Sequence, residues 1–213
     1  MLSRERSGRA LVLVVAFALI ACASLASCAP APTATPSPTS TSSLVVTVEG
    51  GTIAVPDPHS LEVTDIPYSV DVRLAVAALS DATGVQPTIT NHTASPDGCD
   101  ANYTAYDWDG LELRSPAASK PDDTQFSARV TAATSAGGVA LQTSNGQHVG
   151  STVAEMQANV PDAFTFSGDG ATRVFYSVQN PDEDTANGWG AIALAPHGVV
   201  TDILAPQYFY GDC

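Results

Sequence analysis

The sequence predicts an α+β domain with a mostly antiparallel sheet, built from two tandem repeats of a strand, one short helix and three strands. Short segments rich in β-branched and aromatic residues alternate with glycine, proline, asparagine and aspartate turns, which is typical of hairpins. Two other segments carry apolar residues at helical spacing behind a capping residue. The same order of elements occurs twice, over about residues 60–135 and 136–213.

The domain that carries this fold begins after the first 43 residues and is strongly acidic. Residues 44–213 hold 21 of the 22 acidic side chains and 5 of the 8 basic ones, a net charge of −16 (5 − 21). Such an excess repels phosphate backbones and anionic lipid headgroups, so we expect neither nucleic-acid binding nor electrostatic docking to a membrane. The charge suits a soluble exported domain and is compatible with a cationic partner.

The N-terminus has the composition of an export signal. Residues 1–9 carry three arginines, residues 10–21 form an uninterrupted apolar run, and small residues follow as far as Ser27. The order charged, apolar, small is typical of secretory signal peptides. The apolar stretch is at the lower limit for a membrane-spanning helix, so an uncleaved anchor is the alternative, which the small residues disfavour.

The run ends in Leu25-Ala26-Ser27-Cys28, which resembles the lipobox of bacterial secreted lipoproteins: an aliphatic residue, two small or aliphatic ones, and a cysteine. The resemblance implies that the Cys28 sulfur receives a diacylglyceryl group and that cleavage follows just before this residue, leaving an acylated N-terminus. Two or more acyl chains hold a protein firmly on a bilayer. We therefore expect a lipid anchor on the extracytoplasmic face of the cell membrane.

A second stretch, Leu19-Ile20-Ala21-Cys22, fits the same pattern, and the number of cysteines favours Cys28. If Cys28 is lipidated, Cys22 leaves with the leader, and an even pair remains, Cys99 and Cys213. If Cys22 is lipidated, Cys28 becomes an unpaired third thiol in an oxidising compartment. We predict a Cys99–Cys213 disulfide; a metal pair or redox couple is disfavoured because neither cysteine has a CxxC or histidine-rich context.

A tether separates the anchor from the domain. Residues 28–43 contain the lipidated cysteine and then only alanine, proline, threonine and serine, so they cannot build a core. Alternating prolines favour polyproline II at about 3.1 Å per residue, which would hold the domain up to roughly 45 Å from the membrane. The predicted organisation is a signal peptide over 1–27, a tether over 28–43 and one extracytoplasmic domain over 44–213.

The first half of the domain contains one helix with strands on both sides. Ser69 is the predicted N-cap of this helix, and Gly84 is placed to end it. Asp109-Gly110 is a strong hairpin turn. The predicted strands of this half cover residues 44–48, 52–55, 61–64, 102–106, 111–113 and 126–133.

The second half repeats this order. Thr152 and Glu155 stand at capping-box spacing at the start of a short helix, which Pro161 closes. Asn145-Gly146 is a predicted turn. The predicted strands of this half cover residues 139–143, 164–166, 173–178, 190–194 and 199–204.

Aligning the halves places Leu74 opposite Val153 and Trp108 near Trp189, which indicates a duplicated module. Its short turns predict mostly antiparallel pairs with both helices on one face of the sheet. In outline, the arrangement resembles the β-lactamase inhibitory protein and small envelope lipoproteins built from helix-plus-sheet modules. No motif aligns specifically, so the resemblance implies no binding residues here.

No motif predicts catalysis, a cofactor or a metal site. The sequence lacks HExxH, GxSxG and SxxK patterns, and its histidines are scattered one per loop: His59, His92, His148 and His197. Asp107-Trp108-Asp109-Gly110 and Asp182-Glu183-Asp184 lack the alternation of an EF-hand loop, and we interpret them as a hairpin turn and a solvated loop. We expect no catalytic residue, cofactor or metal.

Aromatic residues are the candidates for a recognition surface, although at strand spacing some must face the core. They are Tyr103, Tyr106, Trp108, Tyr208, Phe209 and Tyr210. We expect a non-enzymatic binding or interaction module that takes a protein or small-molecule ligand on a sheet face. The alternative is a small extracytoplasmic hydrolase with a triad assembled from loops. A solute receptor is disfavoured because the domain has no bilobal pattern.

Overall fold

Two β-sheets form the body of the domain, and each half of the chain contributes one helix. The computed structural model describes residues 44–94, 101–117, 124–168, 171–179 and 188–208. The helices are α1 (Val72–Thr83) and α2 (Val153–Asn159), and a short 3₁₀ turn spans Ala136–Gly138. The strands are β1 (Val45–Val48), β2 (Thr52–Pro56), β3 (Val63–Pro67), β4 (Thr88–His92), β5 (Tyr103–Asp107), β6 (Leu111–Pro116), β7 (Ser127–Val130), β8 (Ala140–Gln142), β9 (Phe164–Gly168), β10 (Ala171–Gln179), β11 (Trp189–Ala195) and β12 (Asp202–Tyr208).

The small sheet has the strand order β3-β2-β1-β8, and the large sheet has the order β4-β5-β6-β7-β12-β11-β10-β9. Among the described strands, β1 and β8 are the one parallel pair, and the other neighbours run antiparallel. The predicted α+β class with mostly antiparallel strands is therefore confirmed. No helix in the described ranges is long and apolar enough to span a bilayer.

In the described chain, β4 to β7 follow α1 within the first half and β9 to β12 follow α2, so each helix has four strands after it in its half and the expected three is wrong. The strand missed in the first half is β4. All five of its side chains are exposed, so it lacks the apolar alternation that marks a half-buried strand.

The helix α1 begins after Asp71 and not after Ser69. The Asp71 carboxylate accepts a hydrogen bond from the backbone nitrogen of Arg73 at 2.9 Å. Hydrogen bonds from the Arg73 side chain and backbone hold the pKa of the Asp71 carboxyl at about 2. Ser69 instead lies in a turn closed by the backbone nitrogen of Val70, which donates to Pro67. A nearby turn therefore occupies the position where the sequence suggested the cap.

Other local predictions are confirmed. Gly84 ends α1 in the left-handed conformation, with φ of 67°. The Thr152 and Glu155 side chains form the predicted capping box at the start of α2. Asp109 and Gly110 have φ of 55° and 106°, which suits the tight hairpin between β5 and β6.

One face of the large sheet is buried against the small sheet and both helices. Side chains of directly paired residues share a face, and the register places these fully buried residues in one row: Leu111, Val130, Ile203, Ala193 and Val174. The same core contains Leu79 of α1, Met156 of α2 and Val46 of β1. Tyr176 joins the sheets, since its hydroxyl donates to the Val48 carbonyl oxygen at 2.9 Å. The opposite face of the large sheet lies outside this core.

Candidate functional site

The candidate site is the face of the large sheet that points away from the core, here called the open face. The small sheet and both helices pack on the other face, which contains the core. Pairwise register carries one row of side chains across all eight strands of this face. In order, the row is Thr88, Asp107, Glu112, Arg129, Leu204, Ile192, Phe175 and Phe164.

The second half of that row is apolar, and the next row extends it. There the register runs from Asp202 through Leu194 and Arg173 to Phe166. We call the six apolar side chains the apolar strip: Leu204, Ile192, Phe175, Phe164, Leu194 and Phe166. Phe166 is 56 % exposed and Phe164 is 45 % exposed. Ile192 is 7 % exposed, so the water-accessible part of the strip is centred on the two aromatic side chains of β9.

Two rings of the strip are held in place by stacking. The Phe164 and Phe175 rings lie 5.1 Å apart between centroids at an interplanar angle of 10°. Stacked aromatic pairs contribute about 0.5–1.5 kcal/mol beyond the area they bury. Phe175 is itself 5 % exposed and provides a fixed base for Phe164. The stack fixes the orientation of the two rings relative to each other.

The other half of the open face is polar. Arg129 donates from Nε and Nη2 to Asp202 Oδ1 at 3.0 and 2.6 Å, which joins β7 to β12. Arg114 forms an ion pair with Glu112. Both ion pairs are partly exposed, so they contribute little to stability. They do hold four charged groups at set positions beside the strip.

An aromatic stack lies at the far end of this polar half. The His92 and Tyr103 rings stack with centroids 4.5 Å apart, and the Arg114 guanidinium lies 5.2 Å from the Tyr103 centroid. Cation–π contacts of this kind orient an arginine as well as attract it. The open face therefore has aromatic groups at both ends, with ion pairs between them.

Arg173 is the exception among the arginines. Of the four arginines in the described residues, Arg73, Arg114 and Arg129 each pair with a carboxylate. Arg173 has no ion pair there and is flanked across the strands by Phe166 and Leu194. It places one uncompensated positive charge within the apolar strip.

The structure divides the aromatic candidates between the core and the open face. Trp108 is 1 % exposed, and its indole nitrogen donates to the Val85 carbonyl at 3.1 Å, so it belongs to the core. Tyr106 lies on the core face, opposite Leu113, and Tyr103 is on the open face. The Tyr208 side chain, Phe209 and Tyr210 lie outside the description. Cys28, Cys99 and Cys213 do too, so lipidation and the disulfide stay predictions.

Sequence reasoning missed the phenylalanines of the strip. The alternation Phe164-Thr165-Phe166 shows that both rings share one face of a strand. Nothing local shows which face that is. Phe175 lies between Val174 and Tyr176, which point to the core, so this strand reads as apolar on both faces.

Ser151, His148 and Glu155, the residue types of a hydrolytic triad, lie close together at the start of α2. The backbone nitrogen of His148 donates to Ser151 Oγ at 3.0 Å, while its ring Nδ1 lies 2.8 Å from the Val149 carbonyl oxygen. The Glu155 carboxylate accepts from the backbone nitrogen and the hydroxyl of Thr152. The imidazole and the carboxylate are thus engaged by other groups.

No group of three metal-ligating side chains forms within the described ranges. The arrangement combines apolar and aromatic side chains at one edge of the face with ion pairs beside them. No family model matches this chain, nor does any curated protein or solved structure.

Proposed function

We propose that this chain is a lipid-anchored extracytoplasmic lipoprotein whose domain is a non-enzymatic binding module that takes a protein partner on the open face. The single observation behind the binding role is the apolar strip, with Phe166 and Phe164 half in water at the sheet's outermost strand. Exposed patches of contiguous apolar side chains commonly mark interaction sites. The lipobox at Cys28 supports the address.

The shape of the strip favours a protein over a small molecule. Four neighbouring strands span about 14 Å, since strands lie about 4.8 Å apart. Small-molecule sites are concave and enclose most of the ligand, whereas protein interfaces are centred on aromatic anchors with a polar rim. Here Arg129 and Asp202 lie beside the strip as such a rim.

The charge favours a basic partner. Residues 44–213 carry a net charge of −16, and three of the four described arginines are already paired with acids. Complementary charge accelerates association and excludes acidic competitors. We therefore expect the partner's contacting surface to be apolar at its centre and basic around it.

We further propose that the two halves are duplicated modules, over about residues 60–135 and 136–213. Support comes from the strand order of the large sheet, in which the four strands after α1 and the four after α2 run inward from opposite edges. β7 and β12, the last strand of each set, pair at the centre. This outline resembles the tandem module of the β-lactamase inhibitory protein.

Photo-crosslinking tests the binding role. A photoreactive amino acid replaces Phe166, which is 56 % exposed. The full chain carrying it is expressed in the organism that naturally produces the protein. The matched control replaces Leu74 on α1, which is 59 % exposed. We expect a discrete crosslinked protein adduct when the photoreactive residue is at position 166. The same adduct should be missing when that residue is at position 74. The same adducts from both positions, or none from 166, would refute the proposal.

The runner-up, a small hydrolase, gains no specific support from the structure, because His148 and Glu155 bond elsewhere. Its test is Ser151→Ala. Hydrolysis of ester or peptide substrates by the wild type, lost in this variant with the fold intact, would establish the enzyme instead.

A further inference from the structure

The strand β9, at one edge of the large sheet, lacks the features that usually protect such edges. Within the described chain no strand lies beyond it, and it pairs with β10. Its sequence, Phe164 to Gly168, contains no charge and no proline, and its side chains over 164–167 are all exposed. Natural proteins generally use lysine, proline, bulges or short strands to prevent pairing at an edge.

The other three edges differ. β3 carries Asp65 and Pro67, and β8 has three residues, so both are protected. β4 is uncharged, but its side chains on the open face are Thr88, Thr90 and His92, which border the polar half. Only β9, among the described edges, combines an unprotected backbone with the apolar strip.

We propose that β9 is a docking strand: an extended segment of the partner polypeptide pairs with its edge and continues the large sheet. This inference rests on the proposed binding function and specifies its mode, which is β-strand addition. Main-chain hydrogen bonds to the segment around Thr165 to Ser167 supply affinity. Side chains of the added strand supply specificity through the open face.

The geometry defines the partner segment. Successive side chains of a strand point to opposite faces, so every second residue of the added strand lies on the open face. These residues lie about 4.8 Å from their neighbours on β9, within contact of Phe166. Apolar side chains at alternate positions therefore extend the strip by one strand.

Charge favours basic residues in that segment. The exposed Asp162 lies two residues before β9, and residues 44–213 carry a net charge of −16. Arg173, at the centre of the strip, repels a cation placed above it. The segment that fits is a short run of alternating apolar residues with lysine or arginine at its ends.

A second copy of this chain is the competing occupant, because an uncharged edge can pair with itself. Two copies would bring together two domains of net charge −16, whose repulsion opposes association. We therefore assign the edge to a basic segment, and self-association becomes an outcome that overturns the assignment.

The test uses the mature full chain in detergent and short lysine-flanked peptides in which valine, isoleucine or phenylalanine alternates with threonine. Each peptide is also made in two N-methylated versions, here called frames, in which every second backbone amide carries a methyl group. In one frame the methylated amides would point toward β9, and in the other they would point away from it. Strand addition predicts that methylation in one frame weakens binding about tenfold or more and that the other frame is tolerated.

Two further readouts localise the contact. Bound peptide should slow amide hydrogen exchange in β9 and leave exchange in β4 unchanged. Phe166→Thr should weaken binding, whereas Ile89→Thr, the control on the other uncharged edge, should not. Equal loss in both methylation frames, protection at β4, binding weaker than about 1 mM, or a dimer that Phe166→Thr abolishes would each overturn the inference.

Leu204→Glu separates this inference from the proposed function, because Leu204 lies on the strip three strands away from β9. If this variant abolishes the crosslinked adduct and frame-specific methylation has no effect, the open face binds a partner without strand addition. If neither change has an effect, both proposals fail.

Discussion

Tyr176 connects the two sheets through a single phenol. Its hydroxyl is fully buried and donates to Val48 on the small sheet. Burial, with a smaller contribution from the charge of Glu49, raises the pKa of Tyr176 well above its ordinary value. The folded protein therefore holds this group neutral, while the unfolded chain ionises it near pH 10.

This difference predicts a loss of stability in alkali. The contribution of Tyr176 is fully present below about pH 10 and is lost as the pH rises toward the folded pKa. We expect Tyr176→Phe to lower the free energy of unfolding at pH 7 by about 1 kcal/mol, through the lost hydrogen bond. We also expect a shallower decline between about pH 9 and 11.

Urea unfolding at several pH values measures both effects, with Tyr106→Phe as the control on the same face. Part of the alkaline slope should persist, because burial also raises the pKa of Tyr68. An undiminished slope in Tyr176→Phe would contradict the assignment.

At the scale of elements, two glycines show how α1 joins the rest of the fold. Gly84 ends the helix with φ of 67°, and an added Cβ would meet no atom within 4 Å. Gly137 has φ of 81°, and an added Cβ would lie 2.1 Å from the carbonyl oxygen of Thr83. Gly84 is therefore constrained by its backbone conformation alone, whereas Gly137 is constrained both by its conformation and by its contact with Thr83.

Alanine at the two positions should therefore have unequal effects. Gly84→Ala should cost about 1 kcal/mol, the penalty of a left-handed conformation for a residue with a Cβ. Gly137→Ala should cost clearly more, because the backbone of Thr83 or of the 3₁₀ turn must also move. Thermal unfolding of the two variants decides this. Equal losses would mean that the contact at Gly137 relaxes freely.

The local signals within elements could be predicted from the sequence. The hairpin at Asp109-Gly110, the capping box at Thr152 and the stop at Gly84 depend on a few neighbouring residues. The strand β4 could not be predicted, because its pairing with β5 is not reflected in any pattern of buried side chains. The predicted N-cap Ser69 is wrong for a related reason. The turn from Pro67 to Val70 includes Ser69, so the helix begins after Asp71.

On the scale of the whole molecule, the predicted Cys99–Cys213 disulfide can be tested directly. A Cys99–Cys213 disulfide would close a long loop, worth about 4–5 kcal/mol in the chain-entropy model. Alkylation without reductant, followed by mass spectrometry, should leave both cysteines unlabelled. Two labelled thiols in the exported protein would rule the disulfide out.

The proposed lipid anchor at Cys28 has a separate test with a matched control. Cys28→Ala should release the protein from the membrane or leave its leader uncleaved, because the proposed acyl chains would provide the attachment. Cys22→Ala should leave retention and mature mass unchanged. Membrane fractionation and intact mass measure both, and the opposite pattern would move the lipidated residue to Cys22.

The sequence by itself determined the α+β class, the turns and caps, and the excess of acidic charge, because each depends on composition or on residues close together in the chain. Only the tertiary structure decided that Trp108 is buried and that Phe164 and Phe166 face water. Alternation shows which side chains share a face of a strand, but packing between distant segments decides which face is covered. In this domain the small sheet and both helices pack on one face of the large sheet, and Phe164 and Phe166 stay partly exposed on the other.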